Sequence, residues 1–180
     1  MNLLIVGNGP SISQFAAHQI DSFSGHILRM NNFVPGENAG FRYDIFCSNM
    51  WLDIQRRDLP SAVQIWCARP NLRYNRQEKC MELFRRYPDL TVDDDLYKKT
   101  HSQLKAHPTT GLVAILMART QARYENVYLA GFDFFRGDRQ HYFSHAPIHT
   151  THKPKRERKM LARIDHVFDF ADHWKGPEEE

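Results

Sequence analysis

Short apolar runs recur along the chain, separated by polar segments long enough to form helices or loops. Continuous apolar runs of this kind are typical of strands buried on both faces of a parallel sheet. The pattern therefore predicts an α/β fold with a mainly parallel sheet. The predicted strands are Leu3–Val6, His26–Met30, Tyr43–Cys47, Ala62–Cys67, Asn126–Ala130 and Val167–Phe170.

Three of the intervening segments have apolar residues at helical spacing. These are Glu78–Tyr87, Gly111–Tyr124 and the basic segment Pro154–Ile164, where a proline suits the first helical turn. The segment Asp89–His107 is polar and weakly patterned, so we expect a mobile loop there, with a short helix near Leu104.

The composition limits the class of protein. The 180 residues suffice for one domain, placed at residues 1–175, with an acidic tail at 176–180. A net charge of +3 is too small to indicate a nucleic-acid-binding protein. The three cysteines form no CxxC pair, which disfavours disulfides or zinc and fits a cytoplasmic protein.

The first apolar run is too short for a signal peptide or a membrane span. We therefore expect at most a peripheral association with the inner face of the membrane.

Polar turns follow several predicted strands where a ligand would bind. The turn Gly7–Ser11, with sequence GNGPS, follows the first strand, and its glycines allow backbone amides to approach a bound group closely. Asn31 and Asn49 follow the next two strands. Because the carboxyl ends of parallel strands meet at one edge of the sheet, these side chains should lie close together, at the edge where ligands bind.

A second candidate site begins at the sequence PTTG, residues Pro108–Gly111. Thr109 or Thr110 can cap the following apolar helix, whose free amides and dipole attract a phosphate. The next strand ends in the sequence GFD, Gly131–Asp133. An ordinary capped helix packed before a core strand is the alternative interpretation.

Five motifs in this order resemble those of the sialyltransferases, both the bacterial Campylobacter type and the animal type. The resemblance implies a Rossmann-like three-layer sandwich and a cytidine monophosphate (CMP) sugar donor. It further implies a glycan or lipo-oligosaccharide acceptor, inversion at the anomeric carbon, and no metal or other cofactor. Whether the chain forms a homo-oligomer stays open. The motifs are GNGPS at Gly7–Ser11, RMNNF at Arg29–Phe33, PTTG with VYLAGFDF at Val127–Phe134, HYFS at His141–Ser144, and His152 with Glu157 in His-x4-Glu.

The same resemblance assigns roles to individual residues. His152 stands where the family has its general base, and a histidine is suited to accept the proton of an acceptor hydroxyl. Tyr142 and His141 would donate to the phosphate as it leaves. The residues implied in substrate binding are Asn8, Gly9, Ser11, Asn31, Asn49, Thr109, Thr110, Gly111, Phe132 and Asp133.

Two departures from the bacterial pattern leave other functions open. Phe135 and His107 stand where those enzymes have a tyrosine and an arginine. A transferase that uses CMP-Kdo or another keto acid, and a catalytically inactive nucleotide-binding protein, are therefore alternatives.

Two metal-binding interpretations compete with the metal-free one. Asp93–Asp95 contains the Asp-x-Asp pattern by which other glycosyltransferases hold a metal-bound nucleotide, although adjacent acids are more often solvated surface. The other metal-binding candidate is a histidine cluster formed by His141, His145, His149 and His152, in a segment that Pro147 interrupts.

The basic run Lys153–Lys159, like adjacent acids, is typical of a solvated helix face.

Overall fold

A computed structural model of the chain describes residues 1–48, 59–60, 62–68, 85–134 and 152–173. The strands in these ranges form one seven-stranded sheet in the order β5-β4-β3-β2-β1-β6-β7, and all neighbouring strands are parallel. The predicted α/β class with a parallel sheet is confirmed. The strands are Asn2–Val6 (β1), His26–Met30 (β2), Ile45–Ser48 (β3), Gln64–Cys67 (β4), Thr91–Val92 (β5), Asn126–Ala130 (β6) and Val167–Asp169 (β7).

The strand order creates a crevice beside β1. The chain builds the sheet outward from β1 through β2 to β5 and then returns to the other side of β1 with β6. The connections after β1 and β6 therefore diverge at the carboxyl ends of these two strands. In open parallel sheets, such a switch point is where ligands bind.

Helices cover both faces of the sheet. A 3-10 helix at Pro10–Gln14 leads into α1, Ala17–Asp21. The other described helices are α2 (Asp94–Leu104), α3 (Thr110–Thr120), α4 (Pro154–Leu161) and α5 (Phe170–His173).

The alternation of side chains along β1 separates the two layers of the core. Leu3 and Ile5 belong to one buried cluster with Val113 of α3. Leu4 belongs to a second cluster with Ile12 of the 3-10 helix. Successive residues of a strand point to opposite faces, so the sheet lies between two helical layers, and the three-layer prediction is confirmed.

The mobile loop predicted at Asp89–His107 is wrong, and the short helix expected near Leu104 is longer than predicted. This segment contains β5 and the eleven-residue α2. Asp93 begins the helix, because its carboxylate accepts a hydrogen bond from the Leu96 amide at 2.8 Å. Only one side of α2 packs on the core, through Leu96 and Tyr97, so its sequence is mostly polar. A helix that packs on the core with one side only needs fewer apolar residues than the prediction assumed.

Other predicted elements differ mainly at their ends. α3 ends at Thr120 and α4 at Leu161, each a few residues before the predicted end. Most of the helix predicted at Glu78–Tyr87 lies outside the described residues, as does the tail at 176–180. Within the described ranges, no helix has both the length and the apolar character needed to span a membrane.

Candidate functional site

A pocket of about 230 Å³ lies at the switch point of the sheet. It is formed by the loops after β1, β2 and β6, the start of α3 and the segment that begins α4. The polar part of its lining comes from Asn8, Asn31, Thr109, Thr110, Asp133, His152 and Glu157, and the remainder from Gly7, Gly9, Met30, Gly111, Leu112, Ile115, Gly131, Phe132, Phe134, Pro154 and Leu161.

The turn after β1 is held against the turn after β6 by backbone hydrogen bonds. The Gly7 amide donates to the Ala130 carbonyl at 2.7 Å, and the Gly9 amide to the Gly131 carbonyl at 2.9 Å. Asn8 Nδ2 donates to the Met30 carbonyl at 3.2 Å, which fixes this side chain beside the end of β2. Asn8 Oδ1 is buried and has no hydrogen-bond partner among the described residues. It is therefore a buried acceptor without a partner at the edge of the pocket.

Asp133 closes the amino-terminal end of the 3-10 helix. Its Oδ2 accepts a hydrogen bond from the Ser11 amide at 3.0 Å. The carboxylate lies directly over Gly9, where a Cβ atom would collide with it, so the close approach requires a glycine. Ser11 does not line the pocket, because Asp133 occupies the space in front of its amide. The sequence analysis treated Ser11 as a ligand contact and did not foresee this intramolecular cap.

Asn31 joins the end of β2 to the start of α3. Its backbone is in the left-handed region, with φ of 50°, which asparagine tolerates better than most residues. The side chain is bound to Thr110, with Asn31 Nδ2 donating to Thr110 Oγ1 at 3.1 Å. Asn31 and Thr110 therefore form one polar edge of the pocket.

The start of α3 is held by a carboxylate from α4. Thr109 is the N-cap residue, and its Oγ1 accepts from the Leu112 amide at 3.2 Å. Glu157 Oε1 accepts from the Thr109 amide at 3.0 Å, and Glu157 Oε2 accepts from the Thr109 hydroxyl at 2.6 Å. Gly111, the second residue of α3, allows Phe132 to pack against the helix, since a Cβ there would lie 2.7 Å from Phe132 Cε1.

Glu157 is a buried carboxylate, only 1% exposed. Burial raises its pKa, while the two hydrogen bonds from Thr109 and the positive charge of His152 act in the opposite direction. The carboxylate also lies in the first turn of α4, where a negative charge interacts favourably with the helix dipole. The glutamate of the His-x4-Glu motif thus connects the starts of two helices.

His152 is oriented by the backbone of the segment before α3. Its Nδ1 lies 2.7 Å from the His107 carbonyl oxygen. A carbonyl oxygen only accepts, so Nδ1 carries the hydrogen, and in the neutral ring Nε2 is then the basic nitrogen. The His107 ring is itself within hydrogen-bond distance of Tyr97, at 2.9 Å between Nδ1 and the hydroxyl. This connection to α2 was not foreseen from the sequence.

The structure brings together most of the residues singled out in the sequence. Nine of them line the pocket, and Ser11 is the described one that does not. Three others lie outside the described residues, namely Asn49, His141 and Tyr142. The residues that the sequence analysis missed are mostly apolar ones from α3 and α4, such as Ile115 and Leu161, which look like ordinary core positions in a sequence.

The aspartate triplet lies away from this pocket. Asp93 caps α2, and Asp94 and Asp95 pair with Lys98 in the first turn of the helix. Asp93 lines a separate cavity, of about 520 Å³, with Gln64 and other residues. The described residues include no group of three or more His, Cys, Asp or Glu side chains arranged to hold a metal ion. Of the four clustered histidines, His141, His145 and His149 lie outside the described residues.

Comparison with known proteins links this fold to solved sialyltransferases. No protein-family model and no curated sequence matches the chain. The alpha-2,3-sialyltransferase from Campylobacter jejuni in apo form is 16% identical, with a TM-score of 0.61 over 95% of this chain and 75% of that one. The sialyltransferase CstII from Campylobacter jejuni, in complex with CMP, is also 16% identical, with a TM-score of 0.61 over 93% and 79%. The chain has the sialyltransferase fold.

A third structure extends the comparison to an acceptor complex. The sialyltransferase CST-II bound to a trisaccharide acceptor and CMP is 17% identical, with a TM-score of 0.53 over 79% of this chain and 66% of that one. At these identities, the comparison identifies the fold, and the chemistry must be argued from the pocket.

Proposed function

We propose that this chain is a CMP-sugar-dependent glycosyltransferase that transfers sialic acid or a related keto acid to a glycan, with inversion and without a metal ion. The observation that carries the proposal is the placement of His152. This histidine lies in the switch-point pocket, with Nδ1 held by the His107 carbonyl. The same pocket contains the polar groups of Asn8, Asn31 and Thr110.

The orientation of His152 supports its role as the general base. With the hydrogen on Nδ1, Nε2 of the neutral ring is able to accept the proton of an acceptor hydroxyl while that oxygen attacks the anomeric carbon. A single displacement of this kind inverts the configuration at that carbon. The resulting imidazolium keeps its hydrogen bond to His107, since the carbonyl accepts from Nδ1 in both protonation states.

The start of α3 supports binding of the donor phosphate. Negative charge builds up on the phosphate as the bond to the sugar breaks, and preset donors lower the barrier to that step. Thr110 and Gly111 begin an eleven-residue helix at the pocket, so their amides and the helix dipole favour an anion there. Asn8 also lines the pocket, but its Nδ2 is bound to the Met30 carbonyl, so the helix start is the main source of donors for the phosphate.

The structural comparison supports the donor and acceptor classes. The related structures include CstII bound to CMP and CST-II bound to a trisaccharide acceptor and CMP. The pocket described here lies at the switch point, the usual ligand site of such sheets. We therefore assign CMP-sugar binding to this pocket and expect the glycan acceptor to approach His152.

A transfer assay with CMP-sialic acid, run in the presence of EDTA, tests the proposal. We expect turnover to persist with the chelator and to fall by at least about 100-fold in His152→Ala, which removes the base. The matched control is His18→Ala, because His18 is exposed and does not line the pocket. If His152→Ala keeps full turnover while remaining folded, His152 is not the base.

Two further measurements separate the alternatives. Parallel assays with CMP-Kdo identify the sugar, and nuclear magnetic resonance of the product gives its anomeric configuration. Calorimetric titration with CMP measures binding independently of transfer. Binding without transfer of either sugar would favour the inactive nucleotide-binding protein, an alternative motivated by His107 at the position of an arginine in the bacterial enzymes. Retention of the donor configuration would contradict the single displacement.

A further inference from the structure

The outer side of α4 carries exposed cationic side chains close together. Three of them fall within an arc of about 100° around the helix axis, and a fourth follows in the turn beyond it. The inner side of the helix faces the protein, where Glu157 is buried and Leu161 packs against the core. We call the exposed set the cationic row, and it comprises Lys155, Arg156, Lys159 and Arg163.

Acidic side chains do not neutralise the cationic row within the described part of the chain. None of its four members forms a salt bridge with a described carboxylate. The one carboxylate in the same segment is Glu157, which is buried against Thr109. On α2, by contrast, Lys98 is paired with two aspartates of its own helix. The row therefore presents its charge outward.

The amino-terminal part of the row opposes the stability of the helix that carries it, whereas Lys159 lies in the last turn, where a cation suits the helix dipole. Lys155 and Arg156 lie in the first turn of α4, where the helix dipole disfavours cations. Lys155 and Lys159 are four residues apart, a spacing at which like charges repel. Residues 153–163 contain six cations and one carboxylate, whereas the whole chain has a net charge of +3. The rest of the chain is therefore net negative, and the positive charge is concentrated in this segment, where Arg156 also donates through Nη1 to the Leu104 carbonyl at 2.7 Å.

We propose that the cationic row docks the protein on an anionic lipid surface. Lys155, Arg156 and Lys159 lie within about 6 Å along the axis of α4 and Arg163 follows in the next turn, so a plane of anionic headgroups would contact the exposed members together. Residues 153–163 contain no aromatic side chain on which a nucleic-acid base would stack. The apolar side of α4 is packed inward, so attraction depends on lipid charge and weakens with salt.

Docking through the cationic row also brings the pocket close to the lipid surface. Pro154 and Glu157 line the pocket and lie in the same helical turn as Lys155 and Arg156. The docking inference does not rest on the proposed function, since it requires neither a nucleotide nor a transfer step. A failure of either one leaves the other intact.

Vesicle co-sedimentation of the full chain tests the docking inference. We compare phosphatidylcholine vesicles with and without phosphatidylglycerol, at low and high salt. In Lys155→Gln/Lys159→Gln, partitioning onto the anionic vesicles should fall about thirtyfold, since each cation near such a surface contributes about fivefold. The matched control is Lys98→Gln/Lys99→Gln, which removes two exposed cations from the middle of α2.

Each outcome of the vesicle experiment decides the inference. Selective loss in the row variant, together with release by salt, supports docking. Equal loss in the control, equal binding to neutral vesicles, or no loss in the row variant overturns it. The inference is also overturned if the row variant binds vesicles with unchanged affinity but is no longer retained on an RNA column. That result would make the partner a nucleic acid. The row variant should melt no lower than the native chain, because it removes a like-charge pair.

Discussion

Glu157 provides a sharp test of how the site is built. Glu157→Ala removes the acceptor of the Thr109 amide and the partner of the Thr109 hydroxyl. Leaving the buried Thr109 amide unpaired lowers the free energy of unfolding. Part of this loss is offset, because the variant no longer has a carboxylate to desolvate on folding. We expect a net destabilisation of about 2–3 kcal/mol. In a chain of this size, that lowers the melting temperature by about 4–12 °C.

Glu157→Gln separates the shape of this side chain from its charge. The amide oxygen still accepts from the Thr109 amide, so the cost at neutral pH should be below about 1 kcal/mol. Burial raises the pKa of Glu157 above its ordinary value of 4.5. The folded state therefore binds this proton more tightly than the unfolded state does. The resulting stabilisation of the native chain is complete below pH 4.5 and is lost as the pH rises through the folded-state pKa.

Urea unfolding of the native chain and both variants over a range of pH checks these expectations. The difference in unfolding free energy between the native chain and Glu157→Gln should shift in favour of the native chain as the pH falls, because glutamine does not titrate. Glu125→Ala, an exposed substitution, is the control for a surface carboxylate and should change stability little. An alanine variant as stable as the native chain would refute the anchoring role, and a shift toward the glutamine variant at low pH would refute the electrostatic reasoning.

Two other substitutions test the surroundings of the site. Gly111→Ala places a Cβ 2.7 Å from Phe132 Cε1, so we expect a loss of about 1–3 kcal/mol in thermal unfolding. Weaker CMP binding by calorimetry should accompany it, and unchanged values of both would contradict the packing described. Asp93→Ala removes the cap of α2 and should cost about 1 kcal/mol by urea unfolding. CMP affinity should stay unchanged in this variant, and a metal-dependent loss of CMP binding would instead implicate the aspartate triplet.

Burial determines which parts of the sheet the sequence predicts. β1 is enclosed on both faces, which requires a continuous apolar run, and Leu3–Val6 is visible as one. β5 consists of the two half-buried residues Thr91 and Val92 at the edge of the sheet, and so short an element leaves no pattern. The length of α2 was missed for a related reason, because most of its surface is polar and its start depends on the Asp93 cap, so only a short helix near Leu104 was predicted.

At the site, the sequence predicts the residues that follow the central strands, but it does not predict the contacts between distant parts of the chain. The positions of Asn8 and Asn31 follow from the topology, since each stands just after a central parallel strand. The carboxylate of Glu157, by contrast, reaches Thr109 across 48 residues of sequence, and that of Asp133 reaches the Ser11 amide across 122. Such pairings depend on how helices and loops pack, which periodicity does not specify. For this reason, the hydrogen bond from the Ser11 amide to Asp133 could not be foreseen from the sequence.

Two carboxylates at the site each accept a hydrogen bond from a backbone amide, and this decides which amides remain for a ligand. Asp133 takes the Ser11 amide of the 3-10 helix, and Glu157 takes the Thr109 amide before α3. The Leu112 amide is bonded to the Thr109 hydroxyl oxygen, so the amides of Thr110 and Gly111 remain nearest the pocket. An incoming phosphate would thus meet a helix start that is already fixed on both sides. Because fixed donors need no reorganisation when charge develops, the proposed function predicts that the anchoring of Thr109 by Glu157 would assist phosphate binding.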